Sequence, residues 1–531
     1  MRPVQRDLPL TRGTGRLRSP VPAGTLRTMA VSRRAVLRGL VGAGLAAGAS
    51  ACGVERLHVW CRPGVAGAPP PDGLHLQFGA DAAREMVASW ETVTPVLRPR
   101  LQLGTPADGY GRTIPAETRT YIDAVSGVET YTHHATMTGL TPGTPYVYDV
   151  LHDGVDAVAG TFRTAPAGRT GFRFTSFGDH ATPVDGDPLA SPWSRLVVDQ
   201  VEAQEPLFHL LNGDVCYANM SRDRVGTWRN YFANVTRSAR HRPWMPAPGN
   251  HENERGNGPV GFGAFQTRFA LPDHGGPPEH RGLWYAFTAG AVRVVVLSAD
   301  DVCLQDGGDT YIRAYSEGAQ RRWLDATLAA ARTHPAVDWV VVCMHQTAIS
   351  TADHFNGCDR GIREEFLPLF DRHGVDLVLC GHEHHYERSH PLRGADRHGE
   401  TLRPRAVAHD ARTIDTSAGT VHVVLGGGGT SVPSNGFLLA PPAARVIVGV
   451  GPPGDGGRRP SVHVREDARE WSAKRDLGWG HGFATFDVEP PATVSGRTRM
   501  LVTYYRTSES PAGVPEPFDR WALERRGRAP A

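Results

Sequence analysis

Seven residues with side chains suited to metal binding, Asp179, Asp214, Tyr217, Asn250, His345, His382 and His384, stand at or just beyond the ends of apolar runs. Phe172-Arg-Phe-Thr-Ser-Phe-Gly-Asp179 ends in Gly-Asp, and Leu207-Phe-His-Leu-Leu-Asn-Gly-Asp214 does the same before continuing Val215-Cys-Tyr217. Pro248-Gly-Asn-His-Glu252 follows a short apolar approach, and Val340-Val-Val-Cys-Met-His345 ends in histidine. Val378-Leu-Cys-Gly-His-Glu-His384 ends in two histidines at i and i+2. Carboxylate, phenol and amide oxygens with imidazole nitrogens make a donor set for two ions. Asp214, with two oxygens, is the candidate bridge between ions about 3.5 Å apart. Asp179, Tyr217 and one of the last two histidines would serve one ion. Asn250, His345 and the other histidine would serve the second. A glycine directly precedes Asp179, Asp214, Asn250 and His382, which permits a tight strand-to-loop turn.

Those donors need elements that deliver them to one place. Phe172 to Phe177, Leu207 to Leu211, Val292 to Leu297, Trp339 to Met344, Leu377 to Cys380 and Val421 to Leu425 read as buried strands. Amphipathic stretches alternate with them, most clearly Glu317 to Thr333, where Trp323, Leu324, Leu328 and Ala331 share a helical face. The alternation predicts an α/β domain, a β-sandwich flanked by helices, over residues 169–510. Because sites in open α/β sheets form beyond the carboxyl ends of strands, the five clusters should converge on one crevice. Two loop-rich stretches, about 386–418 and 440–478, are expected to surround it. Residues 71–168 offer short alternating strands such as Glu85 to Trp90 and Tyr146 to Val150, and predict an all-β sandwich. Gly139-Leu-Thr-Pro-Gly-Thr144 is similar to the loop before a late strand of fibronectin type III domains. Residues 53–70 read as a Pro/Gly linker and 511–531 as a C-terminal tail.

Taken singly, each cluster has an ordinary reading: Gly-Asp is a turn, Asn250 a helix cap, a lone histidine structural. In order, Gly-Asp, Gly-Asp-x-x-Tyr, Gly-Asn-His-Glu, Val-x-x-His and Gly-His-x-His resemble the binuclear metallophosphoesterases. Tyr217 narrows the resemblance to the purple acid phosphatases. Tyr131-Thr-His-His134, Gly139 to Pro142 and Gly381-His-Glu-His-His-Tyr-Glu-Arg388 look like the two-domain members of that family, and the likeness covers most of residues 71–505. The resemblance implies Fe(III) held by Asp179, Asp214, Tyr217 and His384, with Fe(II), Zn(II) or Mn(II) held by Asp214, Asn250, His345 and His382. It implies an acid phosphatase that hydrolyses phosphate monoesters of small molecules by in-line attack of a metal-bound hydroxide. His251 and His354 would bind the phosphate with Asn250 and protonate the leaving alkoxide. Glu252 would orient His251 or a loop. The alternative within enzymes is a phosphodiesterase acting on nucleotides or phospholipids. A non-catalytic surface-binding protein is disfavoured, because structural metal sites are closed and mononuclear. Two departures stand out. The first block reads Gly178-Asp-His-Ala181 where relatives carry Gly-Asp-x-Gly, so a different turn is expected there. His354-Phe355 stands where plant relatives carry adjacent histidines.

The 531 residues exceed what one core serves. With 57 basic and 55 acidic residues there is no net field to attract nucleic acid, so no nucleic-acid partner is expected. Lys474 is the only lysine, which argues against lysine-based catalysis. Residues 1–52 hold an upstream segment and a signal similar to a twin-arginine leader. In it, Ser32-Arg-Arg-Ala-Val-Leu-Arg38 precedes a Gly/Ala-rich run to Ala51 too short to be a transmembrane segment. Export to the cell surface or medium is expected. Ala49-Ser50-Ala51 fits a cleavage site, Cys52 is a candidate for lipid attachment, and Met29 is an alternative start. Among seven cysteines no C-x-x-C pair occurs. Cys343 and Cys380 read as buried thiols, and Cys303 and Cys358 as a candidate disulfide. Replacing Arg33 and Arg34 together by lysine is expected to leave precursor in the cytoplasm on cell fractionation. Unchanged secretion of that variant would refute the twin-arginine route.

Overall fold

The computed structural model describes residues 67–305, 313–353, 355–409, 412–452, 461–467, 469–491, 496–510 and 513–526. The leader, Cys52, most of the linker and His354 lie outside the described residues.

Eight antiparallel strands build the amino-terminal domain: β1 (Asp72–Phe78), β2 (Met86–Thr92), β3 (Arg100–Thr105), β4 (Gly109–Pro115), β5 (Glu117–Ile122), β6 (Glu129–Met137), β7 (Pro145–Leu151) and β8 (Val158–Arg163). They form two four-stranded sheets in the orders β1-β2-β6-β5 and β4-β3-β7-β8. β7 and β8 alternate between buried and exposed residues, as a half-solvated strand should. β2 is buried at every position, because its outer face packs on the catalytic domain.

The catalytic domain opens with β9 (Phe172–Phe177), α1 (Trp193–Glu202), β10 (Phe208–Leu211), α2 (Arg224–Ala239), β11 (Trp244–Pro246) and α3 (Gly263–Arg268). It continues with β12 (Tyr285–Ala289), β13 (Val292–Val296), α4 (Ala319–Thr333), β14 (Trp339–Cys343), β15 (Cys358–Asp359), α5 (Arg360–Glu365), α6 (Leu367–His373) and β16 (Leu377–Cys380). The rest is strand: β17 (Tyr386–Ser389), β18 (Leu392–His398), β19 (Thr401–Ala406), β20 (Thr413–Asp415), β21 (Val421–Leu425), β22 (Ala444–Val450), β23 (Val462–Asp467), β24 (Ser472–Arg475), β25 (Gly482–Glu489), β26 (Arg497–Arg506) and β27 (Glu516–Arg526). Two seven-stranded mixed sheets result, ordered β11-β10-β9-β25-β26-β27-β20 and β12-β13-β14-β16-β21-β17-β24. β9, β10 and β11 run parallel in the first, and β13, β14, β16 and β21 in the second.

The core explains why these strands lack alternation in sequence. Trp339, Val341 and Cys343 join a cluster with Phe174, Phe208, Leu210 and Phe486 between the sheets. Val340, Val342 and Met344 join Leu324 and Leu328 of α4 and Phe370 of α6 on the opposite face. A strand covered on both sides reads as a continuous apolar run.

Three expectations need correction. The stretch 386–418 contains β17 and the β18–β19 hairpin, and 440–478 contains β22, β23 and the edge strand β24. Hairpins such as Leu392-Arg-Gly-Ala-Asp-Arg-His398 are half-exposed and held by backbone pairing, so they carry no hydrophobic period. The tail is also strand over Glu516–Arg526, paired antiparallel with β26 from Arg497–Arg526 to Arg506–Glu516. Cys303 and Cys358 are not bridged. The Cys358 thiol donates to the Arg445 carbonyl at 2.8 Å, and the Cys303 thiol points to the carbonyls of Asp300 and Gln305.

The two domains share a buried seam. His75 stacks on Phe232 at 4.4 Å, the His134 ring bonds the Thr267 carbonyl, and Tyr148 donates to the Arg240 carbonyl. At its centre Arg268 Nε lies 2.8 Å from Glu91 Oε1 with the guanidinium fully buried, flanked by Trp228 and Tyr121 rings. The contact is one of charge, since neither atom meets a hydrogen-bond partner along its own bond direction. Arg268→Ala, which strands Glu91 without its counter-charge, is expected to lower unfolding stability by about 3–5 kcal/mol. The paired Glu91→Leu/Arg268→Met variant should recover most of it in denaturant titration. Equal destabilisation by single and double variants would refute the pairing.

Candidate metal centre

Each donor is carried past the end of its strand by a constrained turn. Asp179 (φ 61°), Asp214 (φ 51°), Tyr217 (φ 58°) and His382 (φ 71°) all adopt left-handed backbone conformations, which non-glycine residues take only where surrounding contacts force them. Glycine is required beside them at two points. A Cβ on Gly381 would stand 2.5 Å from Asp179 Oδ2 and 2.6 Å from the Asn212 carbonyl, and one on Gly249 would overlap Asp214 Oδ1. In the altered first block Ala181 itself sits at φ 64°. The left-handed conformation costs a residue with a Cβ roughly 1–2 kcal/mol.

Two donor groups result. In the first, His384 Nε2 lies 3.1 Å from Asp179 Oδ1, and Tyr217 Oη lies 3.2 Å from His384 Nε2 and 3.4 Å from Asp179 Oδ1. In the second, His345 Nε2 lies 3.0 Å from Asp214 Oδ2, 3.1 Å from Asn250 Oδ1 and 3.3 Å from His382 Nδ1. Donor atoms of Asp214, His345 and His382 all lie within 4.8 Å of one another. The seven sequence-predicted donors are thus together.

Neighbouring groups fix which atoms point inward. A carbonyl only accepts, so His345 Nδ1 donates to the Asn212 carbonyl at 2.7 Å and His384 Nδ1 to the Val432 carbonyl at 2.8 Å. Nε2 is therefore the nitrogen that each ring presents to the cavity, and it becomes a metal ligand on giving up its proton. Glu252 binds none of the donors. Its carboxylate accepts from the backbone N–H groups of Asp214 (2.9 Å), Val215 (2.7 Å) and Gly249 (2.8 Å), tying the Asp214 turn to the Asn250 turn.

The electrostatics favour cations. Burial opposes charge on His345, yet Asp214 and Asp179 push it up to about 10. Burial also opposes charge on His384, and Asp179 raises it nonetheless. Asp214, despite burial, is held well below the usual carboxylate range by His345 and His251. Burial and the negative charge of Asp214 lift Glu252 to about 8 against its three backbone donors. Burial, then Asp179 and Asp214, push the Tyr217 phenol well above its ordinary value. Metal cations would replace the protons drawn into this pocket, so the residues present fit the group the donor pattern implies.

His251 differs from the other site histidines in reaching solvent, with its side chain 24% exposed. Its N–H donates to Asp214 Oδ1 at 2.9 Å and its Nδ1 bonds Asn219 Oδ1 at 2.8 Å. Nε2 lies on the Asp214 side, 3.9 Å from Oδ2, and the ring lies 4.6 Å from that of Tyr217. His354 lies outside the described residues; its neighbour Phe355 meets the His384 ring edge-on at 5.1 Å. Sequence reasoning missed Asn212, Asn219 and the Val432 carbonyl. Asn212, adjoining the Gly213-Asp214 pair, carried a local signal; the other two did not.

A two-sheet sandwich delivering carboxylate, phenol, amide and imidazole donors past parallel strand ends is the frame of a metallophosphoesterase. Residues 71–164 match the family described as purple acid phosphatase, N-terminal domain, and residues 187–386 match the calcineurin-like phosphoesterases. An uncharacterized protein of Mycobacterium tuberculosis is 53% identical over 93% of this chain and 96% of its own length. Human acid phosphatase type 7 is 28% identical over 62% of this chain and 73% of its length. A purple acid phosphatase from yellow lupin seeds superposes with a TM-score of 0.63 at 20% identity, covering 86% of this chain and 75% of that one. The chain belongs to the purple acid phosphatase family, whose fold implies phosphoester hydrolysis at a binuclear metal centre.

Asp214→Ala removes the carboxylate that the donor pattern assigns to both ions. The variant is expected to lose bound metal and at least about 1,000-fold in phosphoester hydrolysis, since Lewis-acid stabilisation is worth several kcal/mol. Its far-UV circular dichroism should be unchanged. Full metal content on elemental analysis would exclude a shared ligand.

Proposed function

We propose that the protein is an exported acid phosphatase that hydrolyses small phosphate monoesters at a centre of Fe(III) with Fe(II), Zn(II) or Mn(II). The observation that carries the reading is the Tyr217 phenol, set beside Asp179 and His384 in the first donor group. A phenol in that position suits a strongly charged hard ion, which the other donors do not by themselves demand. Monoester preference is supported by the relatives named acid phosphatase and, in onion, phosphoenolpyruvate phosphatase. Export is supported by the leader-like residues Arg33 and Arg34, and no helix among the described residues is long and apolar enough to cross a membrane.

In this reading Asp179, Tyr217 and His384 would hold one ion, Asn250, His345 and His382 the other, and Asp214 would serve both. Bound there, the ions would supply Lewis acidity that offsets charge on the phosphoryl oxygens and lowers the pKa of water in mild acid. The chain does the rest. Asn219 aims the His251 ring, whose exposed edge hydrogen-bonds a phosphoryl oxygen or delivers a proton to the departing alkoxide. His354 is the second candidate for that role. Glu252 holds the Asp214 and Asn250 turns in register so that the donors are preorganised.

Purified iron-replete protein is expected to show a visible tyrosinate-to-iron charge-transfer band and to hydrolyse monoesters faster than diesters in mild acid. Tyr217→Phe should bleach the band. Colourless, iron-free and fully active enzyme would sink the ferric assignment, and faster cleavage of diesters would sink the monoester preference.

A further inference from the structure

Large exposed hydrophobic side chains are normally scattered singly over a surface. Here several gather around the mouth of the metal centre. The segment 432–439 is bonded to the His384 loop at two points: the Val432 carbonyl accepts from His384 Nδ1, and the Ser434 N–H donates to the His384 carbonyl at 2.8 Å. From this anchored segment Val432 (40% exposed), Phe437 (41%) and Leu439 (44%) present their side chains to solvent. Phe355 links them to the site, with its ring 5.1 Å from that of His384 and 5.5 Å from that of Phe437. The Asp353 N–H donates to the Phe437 carbonyl at 2.9 Å, and Ala352 bridges to Leu438, so the rim is braced. Asn435 Nδ2 donates to the carbonyl of Leu477, a further exposed apolar residue.

Two of the described cations bonded to this segment are engaged. Arg445 Nε lies 2.9 Å from Asp353 Oδ1, and Arg475 Nη1 donates to the Leu439 carbonyl at 2.8 Å. A leaving group carrying further phosphates or carboxylates would find apolar surface where it needs charge, and a polyol would lose hydrogen bonds to water without replacing them. An apolar group would gain by covering surface that water now meets.

Resting on the phosphoesterase reading above, we propose that Phe355, Val432, Phe437 and Leu439 form the leaving-group subsite, and that it selects phosphate monoesters of aromatic or other apolar alcohols. Phe355 stands next to the His384 donor, and Phe437 and Leu439 extend the apolar surface outward. The phosphoryl group is held by the metal centre and the apolar alkyl or aryl portion lies along this rim.

The test compares kcat/KM of the metal-loaded full chain on 2-phenylethyl phosphate and glycerol 1-phosphate, whose alkoxide leaving groups are of similar basicity, so that the ratio reads the rim. A preference of about tenfold or more for the phenylethyl ester is expected, a modest share of what burying a phenyl group gives. Phe437→Ala should reduce the ratio to about threefold or less through KM, and Phe437→Leu should keep most of it. Leu439→Ser gives a second lesion at the outer edge, expected to reduce the ratio in the same direction. A wild-type ratio near one, or variants that slow both esters equally, would overturn the subsite. If neither ester is turned over, the phosphatase reading fails and the rim is judged by calorimetry. The metal-loaded protein should then bind 2-phenylethylphosphonate about tenfold more tightly than methylphosphonate, and equal affinities would overturn the proposal.

Discussion

Asp179 and Asp214 are buried at the heart of the catalytic domain, 0% and 2% exposed, and two carboxylates cannot stay ionised together in such a place without compensating positive charge. Much of the surrounding structure answers that constraint. His345 and His384 are drawn toward their protonated forms by the two acids. Backbone N–H groups of His251 and His382 turn onto Asp214 Oδ1 and Asp179 Oδ2, each at 2.9 Å. Four donors sit in left-handed backbone, a strain that persists because packed strands on both sides hold the turns. A pocket of buried acids that draws protons onto its histidines is organised to take cations.

The same demand for rigidity reaches the amino-terminal domain. Asn257, a few residues past the Asn250 turn, accepts from the Ala124 N–H at 2.8 Å and donates to Asp123 at 3.2 Å. It also donates to Glu254, whose other oxygen takes the Trp228 indole N–H, and Trp228 carries the Arg268 guanidinium that faces Glu91. A continuous set of buried polar contacts thus joins the β-sandwich to the loop bearing Asn250 and His251. The first domain buttresses the site while contributing no donor to it.

How much of this was legible depended on whether a residue's surroundings were local. β16 was readable to the residue because burial on both faces writes an uninterrupted apolar run, and β9 and β21 were readable from runs that stay mostly apolar despite Arg173, Thr175, Ser176 and His422. The donors were readable because each follows such a run at fixed spacing. The β18–β19 and β22–β23 hairpins and β27 were not, since backbone pairing of half-exposed polar strands leaves no period. Nor was the splitting of the donors between two sheets, which only strand order decides. Val432 orients His384 from 48 positions away through a carbonyl, an atom every residue has. Glu252 was readable as an orienting group, but not the turns it joins.

The centre is argued from donor geometry to be binuclear, with Asp214 between the ions. Anomalous scattering from crystals of the iron-replete protein tests this most directly. Two peaks per chain about 3.5 Å apart are predicted, one beside Asp179, Tyr217 and His384, the other beside Asn250, His345 and His382. A single peak, or a pair not flanking Asp214, would contradict the account.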